Sequence, residues 1–450
     1  MNRIDCNGWN KVASSLISRA KASSIEILDF APVFAVTILM LLGVTFCCPN
    51  ALAQKSPRSS SAAFKARPLS TPPETGVAVV DGRLIGINTR KPFMARGLIS
   101  EALSYPTQYA ATLCGSHFAA SAAAANLREA QAAITAAPLP GLGYNASFQA
   151  MAEDWHANAV RFNLSQGALQ YEYAHGLSAY TDMVRKVIEQ ARRAGLIVII
   201  DMQAELYSCT PYEQGALQKL PDIETEHAWA QLLDARLTRD KGIMIEVFNE
   251  PSTTKACKVG TYRHPDWATW ETGCGNEPDQ GMLTVGQWLR KQAPNNVLLF
   301  NGDGVSFGFV GFTVPKGMPS NSAYSVHPFH YLFRGNLTDN IEAWNNQFGN
   351  FERSGHAVIV TAWNEGFECP TDPNQIITND FIQRYLTSHS IGMVAYGWDA
   401  PVHAAGYLVN SYSYPGNTAN YQVVDPNTQG CAHDGGKLLQ KEFQTQAAQQ

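Results

Sequence analysis

Residues 243–251 read IMIEVFNEP, an apolar run that ends in two polar side chains and a proline. Such a run reads as a buried strand, and Pro251, which has no N–H to give, stops its ladder. Asn249 and Glu250 are thereby set at a strand end, half-enclosed by apolar walls. Burial disfavours the charged form of a carboxyl group and raises its pKa. A glutamate so tuned can keep its proton at neutral pH and hand it to the leaving oxygen of a sugar. Asn249 beside it can hydrogen-bond a hydroxyl. Glu246 shares the inward side of the strand by alternation and is expected as a paired interior carboxylate, not a reacting one. A bare Asn-Glu-Pro would be read as a surface helix cap; the apolar run before it changes that reading.

The elements needed to hold such a group recur along the chain. Short apolar runs at 93–97, 159–163, 197–201, 244–248, 297–301, 322–326, 357–361 and 392–396 alternate with amphipathic stretches at 180–194, 227–237, 285–292 and 381–388. An Ala-rich segment at 119–137 reads as an extra helix in the first connection. Repeated strand–helix units of this kind predict an α/β fold, a closed parallel (β/α)8 TIM barrel with its chemistry at the carboxyl ends of the strands. An open doubly wound sheet is the alternative, but no glycine fingerprint follows the first strand, and Gly302, Gly304 and Gly308 are wrongly spaced for one.

Five segments, in order, resemble glycoside hydrolase family 5, the cellulase-like retaining glycosidases. Arg96-Gly97-Leu98 is similar to the family's first-strand Arg-Gly, and Asn158 with Arg161 to its second-strand motif. Phe248-Asn249-Glu250-Pro251 resembles the acid/base segment, Tyr324 to His327 the sixth-strand His, and Gly397-Trp398 the eighth-strand Trp. The resemblance implies Glu250 as general acid/base, Arg161 and His327 as support, and Asn249 and Trp398 as sugar contacts. It further implies a carbohydrate substrate with β-linkages and no metal or organic cofactor.

The departures bear on mechanism. Ala362 stands where the family carries its nucleophilic glutamate, Gln203 where it has a third-strand His, and Phe329 where an aromatic hydroxyl follows the sixth-strand His. Tyr331 is the nearest hydroxyl that could replace the last. Double displacement needs an acid/base and a nucleophile, and alanine cannot attack. Either the protein binds glycans without cleaving them, or another carboxylate, Glu365 before Glu205 or Asp399, serves a working glycosidase. A deliberate replacement at one position is disfavoured, because Gln203 and Phe329 depart in the same region. Trp267 and Trp270, in the loop after Glu250, could line a cleft or pack that loop down.

The rest of the chain sets the context. Arg3, Lys11, Arg19 and Lys21 precede an apolar run at 31–46 and an Ala51-Leu52-Ala53 cleavage pattern, so 1–53 reads as an export signal. Residues 54–75, rich in Ser, Pro, Ala and Lys, read as a disordered linker, and 76–450 as a single barrel domain. A secreted or periplasmic monomer is expected, with no membrane attachment after cleavage. A net charge of −5 gives no reason to expect nucleic acid. Cys114, Cys209, Cys257, Cys274, Cys369 and Cys431 remain after cleavage, an even set suited to disulfides. Cys257 and Cys274 fall in one predicted loop.

Overall fold

The computed structural model describes residues 74–100, 103, 144–204, 219–261, 264–275, 280–329, 337–363, 380–398 and 436–449. All belong to the Pro68–Gln450 unit of the chain. The export signal, the helix expected at 119–137, Glu205, Tyr331, Glu365, Asp399, Cys114, Cys209, Cys369 and Cys431 lie outside the described residues.

A hairpin, β1 (Val77–Val80) and β2 (Arg83–Gly86), opens the described chain. Its Asp81-Gly82 turn has positive φ at both residues, the conformation a tight hairpin requires. Glu74 and Thr75, placed at the end of the expected linker, already bind this body: Glu74 accepts from the Asn88 N–H and Thr75 O accepts from Arg192.

Eight strands then follow: β3 (Arg96–Ser100), β4 (Ala159–Ser165), β5 (Ile197–Gln203), β6 (Ile243–Glu246), β7 (Val297–Asn301), β8 (Ser322–Val326), β9 (Val358–Trp363) and β10 (Met393–Ala395). Neighbours in sequence are neighbours in the sheet, and β10 pairs β3 to close the barrel. Every barrel pairing is parallel. Strands β7 and β8 fall where the sequence predicts them, whereas β3 begins three residues later than expected. The chain before it, with Phe93 and Ala95, packs beneath the barrel.

Both faces of each strand are buried, as a parallel sheet inside helices requires. Alternate residues therefore divide into two layers. Val160, Phe162, Leu164, Val198, Ile200 and Met202 face outward into the strand–helix layer. Ala159, Ile197, Ile199, Met244, Val297, Leu299 and Ala323 face the axis, where Val77, Leu84, Phe93 and Ala95 join them. Val77 N donates to Lys241 O, just before β6, and Val79 N to Asn321 Oδ1, just before β8. The hairpin thus lies across the amino-terminal end of the barrel and plugs it with apolar side chains. Higher on the same inward columns the residues turn polar: Arg161, Asn163, Asp201, Gln203, Glu246, Asn301, Ser325 and Thr361, all buried. That change of character from floor to mouth marks the end that can do chemistry.

The helices follow ordinary rules. Helix α1 (Ala179–Arg193) buries Tyr180, Val184, Val187, Ile188 and Ala191 on one stripe. Helix α2 (Ile223–Leu232) starts at a capping box of Asp222 and Thr225. The loop after β6 is held by Cys257–Cys274, the expected pair. Trp267 and Trp270 pack that loop down: Trp267 stacks on Phe309 and tilts against Phe312, Trp270 meets Phe312 edge-on, and their indole N–H groups bind Val310 O and Asn301 O. Replacing Cys257 and Cys274 together by Ser opens a loop of 17 residues. Denaturant unfolding under non-reducing conditions should show a loss of about 3 kcal/mol.

Candidate active site

Arg161 stands at the centre of the polar layer, almost wholly buried. Its Nε donates to Glu246 Oε2 at 2.6 Å, Nη1 to Asn163 Oδ1 at 2.8 Å, and Nη2 to Asn249 Oδ1 at 2.8 Å. Nη2 also lies 3.0 Å from Asp201 Oδ2. One guanidinium therefore ties together β4, β5, β6 and the segment that follows β6. Burial works against its charge, but Asp201 and Glu246 outweigh it and raise the Arg161 pKa. Burial likewise pushes Glu246 upward, and Arg161 with the Thr361 hydroxyl reverses this, holding the carboxylate below its ordinary range. The expectation that Glu246 is a paired interior carboxylate is met.

Glu250 sits beyond the end of β6, at the mouth. Its backbone has φ of 49°, the left-handed region, at a cost of about 1–2 kcal/mol for a residue with a side chain. Neighbouring loops hold it there. Val305 N donates to Pro251 O, and Asp303 accepts from Thr253 N at 2.8 Å and Thr253 Oγ1 at 2.5 Å. The Glu250 side chain retains 26% exposure, and His327 Nδ1 lies 3.0 Å from its Oε1. Burial raises its pKa to about 7, aided by Glu246 and opposed by Arg161, Lys255 and Lys219. His327 is buried at the end of β8, and burial followed by the charge of Arg161 pushes its pKa down to about 3. It is a neutral imidazole at any moderate pH.

The residues expected at the site divide into three groups. Arg161, Asn249, Glu250 and His327 are brought together by direct contacts. Gln203 ends β5 on the same inward column as Asp201, and its Oε1 is buried without a hydrogen-bond partner among the described residues. Trp398 is not brought to them. Its ring is fully buried, edge-on to Trp155, with its N–H given to Ser147, so it presents no open face for a sugar to stack on. Arg96 likewise begins β3 at the opposite end of the barrel and binds His156 O.

Ala362 is buried, in β9, beside Thr361. Between Met393 and Ala395 the β9–β10 register slips from Val360 to Trp363, a bulge of one residue. Ala362 packs in the interior cluster against which Phe329 and Tyr396 also pack. Asp201, Asp303 and Thr361 belong to the site and were not singled out from the sequence. Alternation from Ile199 and Ile359 would have found the first and last, since each lies two residues further along an inward column.

The family model for cellulase (glycosyl hydrolase family 5) matches residues 126–401. No match is found among curated proteins. Of solved structures, a β-glucanase from Saccharophagus degradans in complex with cellotetraose is similar at 13% identity and TM-score 0.55, covering 86% of this chain and 99% of that one. The catalytic domain of an endoglucanase from Thermobifida fusca is similar at 16% identity and TM-score 0.51, covering 82% and 98%. An endocellulase from Pyrococcus horikoshii is similar at 12% identity and TM-score 0.51, covering 83% and 100%. At these identities the likeness is one of fold.

Two measurements check the electrostatics. Arg161→Met strands Glu246 and Asp201 as buried charges and should cost about 3–5 kcal/mol in denaturant unfolding. Glu250 has a folded pKa of about 7 against an ordinary value of 4.5. Its protonation therefore stabilises the fold at acid pH, and this contribution is lost as pH rises through that window. Glu250→Gln, which cannot ionise, should gain in melting temperature over wild type between those pH values and hold a constant lead above them. A pH-independent difference would contradict the raised pKa.

Proposed function

Because the chain belongs to the cellulase family, glycosyl hydrolase family 5, we propose that it hydrolyses β-linked glucans with Glu250 as general acid. The observation that carries this reading is the Glu250 carboxyl itself: at the barrel mouth, 3.0 Å from a neutral His327, with its pKa raised to about 7. Such a group delivers a proton to the glycosidic oxygen as the bond to the anomeric carbon breaks. Asn249, whose Oδ1 is engaged by Arg161, has its amide N–H groups to offer a sugar hydroxyl. Gln203 Oε1, buried without a partner among the described residues, is suited to accept from another. The glucanase likenesses, one holding cellotetraose, support a glucan as substrate.

Ala362 has no group that can attack. We assign activation of a water molecule to Glu365, two residues past the end of β9 in sequence. Water adds its oxygen to the anomeric carbon opposite the departing sugar and gives a proton to Glu365, which inverts the configuration. This mode uses carboxyl groups about 6.5–9.5 Å apart. The apolar cluster shared by Ala362, Phe329 and Tyr396 favours a second reading, a glycan-binding barrel that does not cleave. Export belongs to the same proposal: the Cys257–Cys274 disulfide suits an oxidising compartment, and intact mass of the secreted or periplasmic form should begin near Gln54.

Turnover by wild type, Glu250→Gln, Glu365→Gln and Ala362→Glu on one panel of β-glucans decides between these readings. A working inverting enzyme loses about 100-fold or more in Glu250→Gln and in Glu365→Gln, and wild-type activity falls above pH 7 as Glu250 ionises. Turnover that emerges only in Ala362→Glu identifies the non-cleaving binder. Full activity in Glu365→Gln moves the base role to Glu205 or Asp399.

A further inference from the structure

We propose that Glu246 and Thr361 are positioning residues which, acting through His327, set a one-way chain of hydrogen bonds that keeps the proton on Glu250. The inference rests on the reading of Glu250 as the proton donor and adds what holds the proton there. Its members come from β6, β9, the residue that follows β8, and the loop after β6. Thr361 Oγ1 lies 2.7 Å from Glu246 Oε1 and 3.0 Å from His327 Nε2, and His327 Nδ1 lies 3.0 Å from Glu250 Oε1.

Hydrogen counting gives the chain its direction. Glu246 is paired with Arg161 at 2.6 Å inside the barrel and is a carboxylate, which can only accept. Thr361 has a single hydroxyl hydrogen, and Glu246 takes it. The Thr361 oxygen can then meet His327 Nε2 only as an acceptor, so Nε2 carries a proton. A second proton on this ring would put a buried cation beside Arg161, which its strongly lowered pKa excludes at moderate pH. Nδ1 is therefore a lone pair. Two acceptors do not hydrogen-bond, so the hydrogen between Nδ1 and Glu250 Oε1 belongs to Glu250. Running the chain the other way would need a protonated Glu246 against the guanidinium.

The charged groups facing Glu250 are Arg161, Lys219 and Lys255, which favour its ionised form, and Glu246, which opposes it. The cations alone would strip the proton; burial and the His327 lone pair retain it. Once the proton has passed to a leaving oxygen, a carboxylate and a lone pair face each other. The cycle closes when Glu365 releases to solvent the proton it took from the attacking water and Glu250 takes one up from solvent.

The test uses the full chain labelled with ¹⁵N-histidine and ¹³C-glutamate, with signals assigned by their loss in His327→Gln and Glu250→Gln. Wild-type His327 should show the neutral Nε2–H tautomer from pH 5 to 8, and Glu250 should titrate near 7. Thr361→Val removes the acceptor for Nε2–H. It should shift His327 toward the Nδ1–H form and move the Glu250 midpoint down toward the ordinary carboxylate range. Thr361→Ser should restore both. A wild-type ring in the Nδ1–H or doubly protonated form overturns the proposal, whether or not the valine variant folds. So does a folded Thr361→Val with both signals unmoved. Undiminished turnover in Glu250→Gln, with the wild-type tautomer as expected, removes Glu250 as the donor and leaves the hydrogen-bond chain standing.

Discussion

A guanidinium cut off from water must satisfy its donors with protein, and in this barrel Arg161 does so with Glu246, Asn163 and Asn249, with Asp201 beside it as a further counter-ion. The rest of the site follows from that demand. Strands β4, β5 and β6 are brought into register at the level where their inward side chains change from apolar to polar. Glu246 is fixed as an anion, Asn249 is turned so that its amide donors are spare, and the residue after it is carried to the mouth. A lysine could not do the same, because an ammonium lacks the planar fork that reaches several strands at once.

The charge balance around this ion explains why the mouth carboxyl differs from those below it. Asp201 and Glu246 already pair with Arg161, and the pull it still exerts on Glu250 is outweighed by burial. Burial then governs Glu250, while the deeper Glu246, bonded twice by charge or hydroxyl, stays ionised. Identical side chains four residues apart on one segment are thus driven to opposite protonation states by their partners, since burial raises both and only Glu246 is bonded by Arg161 and Thr361. His327 sits between the two regimes and is held neutral by burial, aided by the same cation.

The barrel was legible because each strand is buried on both sides and reads as a short apolar run between helical patterns. Boundaries failed where tertiary packing overrode the run. Phe93 and Ala95 are apolar because they plug the barrel floor, not because they pair in β3. Glu250 was legible from its proline-stopped strand, and Arg161 and His327 from their resemblance to family segments. Asp303 was not, since an aspartate in a loop has many bland roles and only its contact with Thr253, 50 residues away, reveals it; alternation places Thr361 on an inward column, but its role comes from the contact with Glu246 across 115 residues. Trp398 shows the opposite error. A tryptophan after a strand suits sugar stacking, but it suits a packed helix layer equally well, and here Trp155 and Ser147 claim it.

The extra residue in β9 has a consequence for how such a site changes over time. In a regular strand, neighbouring side chains point to opposite faces, so only one of Thr361 and Ala362 could address the interior. The bulge lets both do so, and it divides their duties: one position hydrogen-bonds the proton-holding side chains, and the other packs in the interior cluster. The two can therefore vary independently. A side chain can be exchanged at position 362 while the contacts among Glu246, Thr361, His327 and Glu250 stay assembled, so that the fold need not register what that position carries.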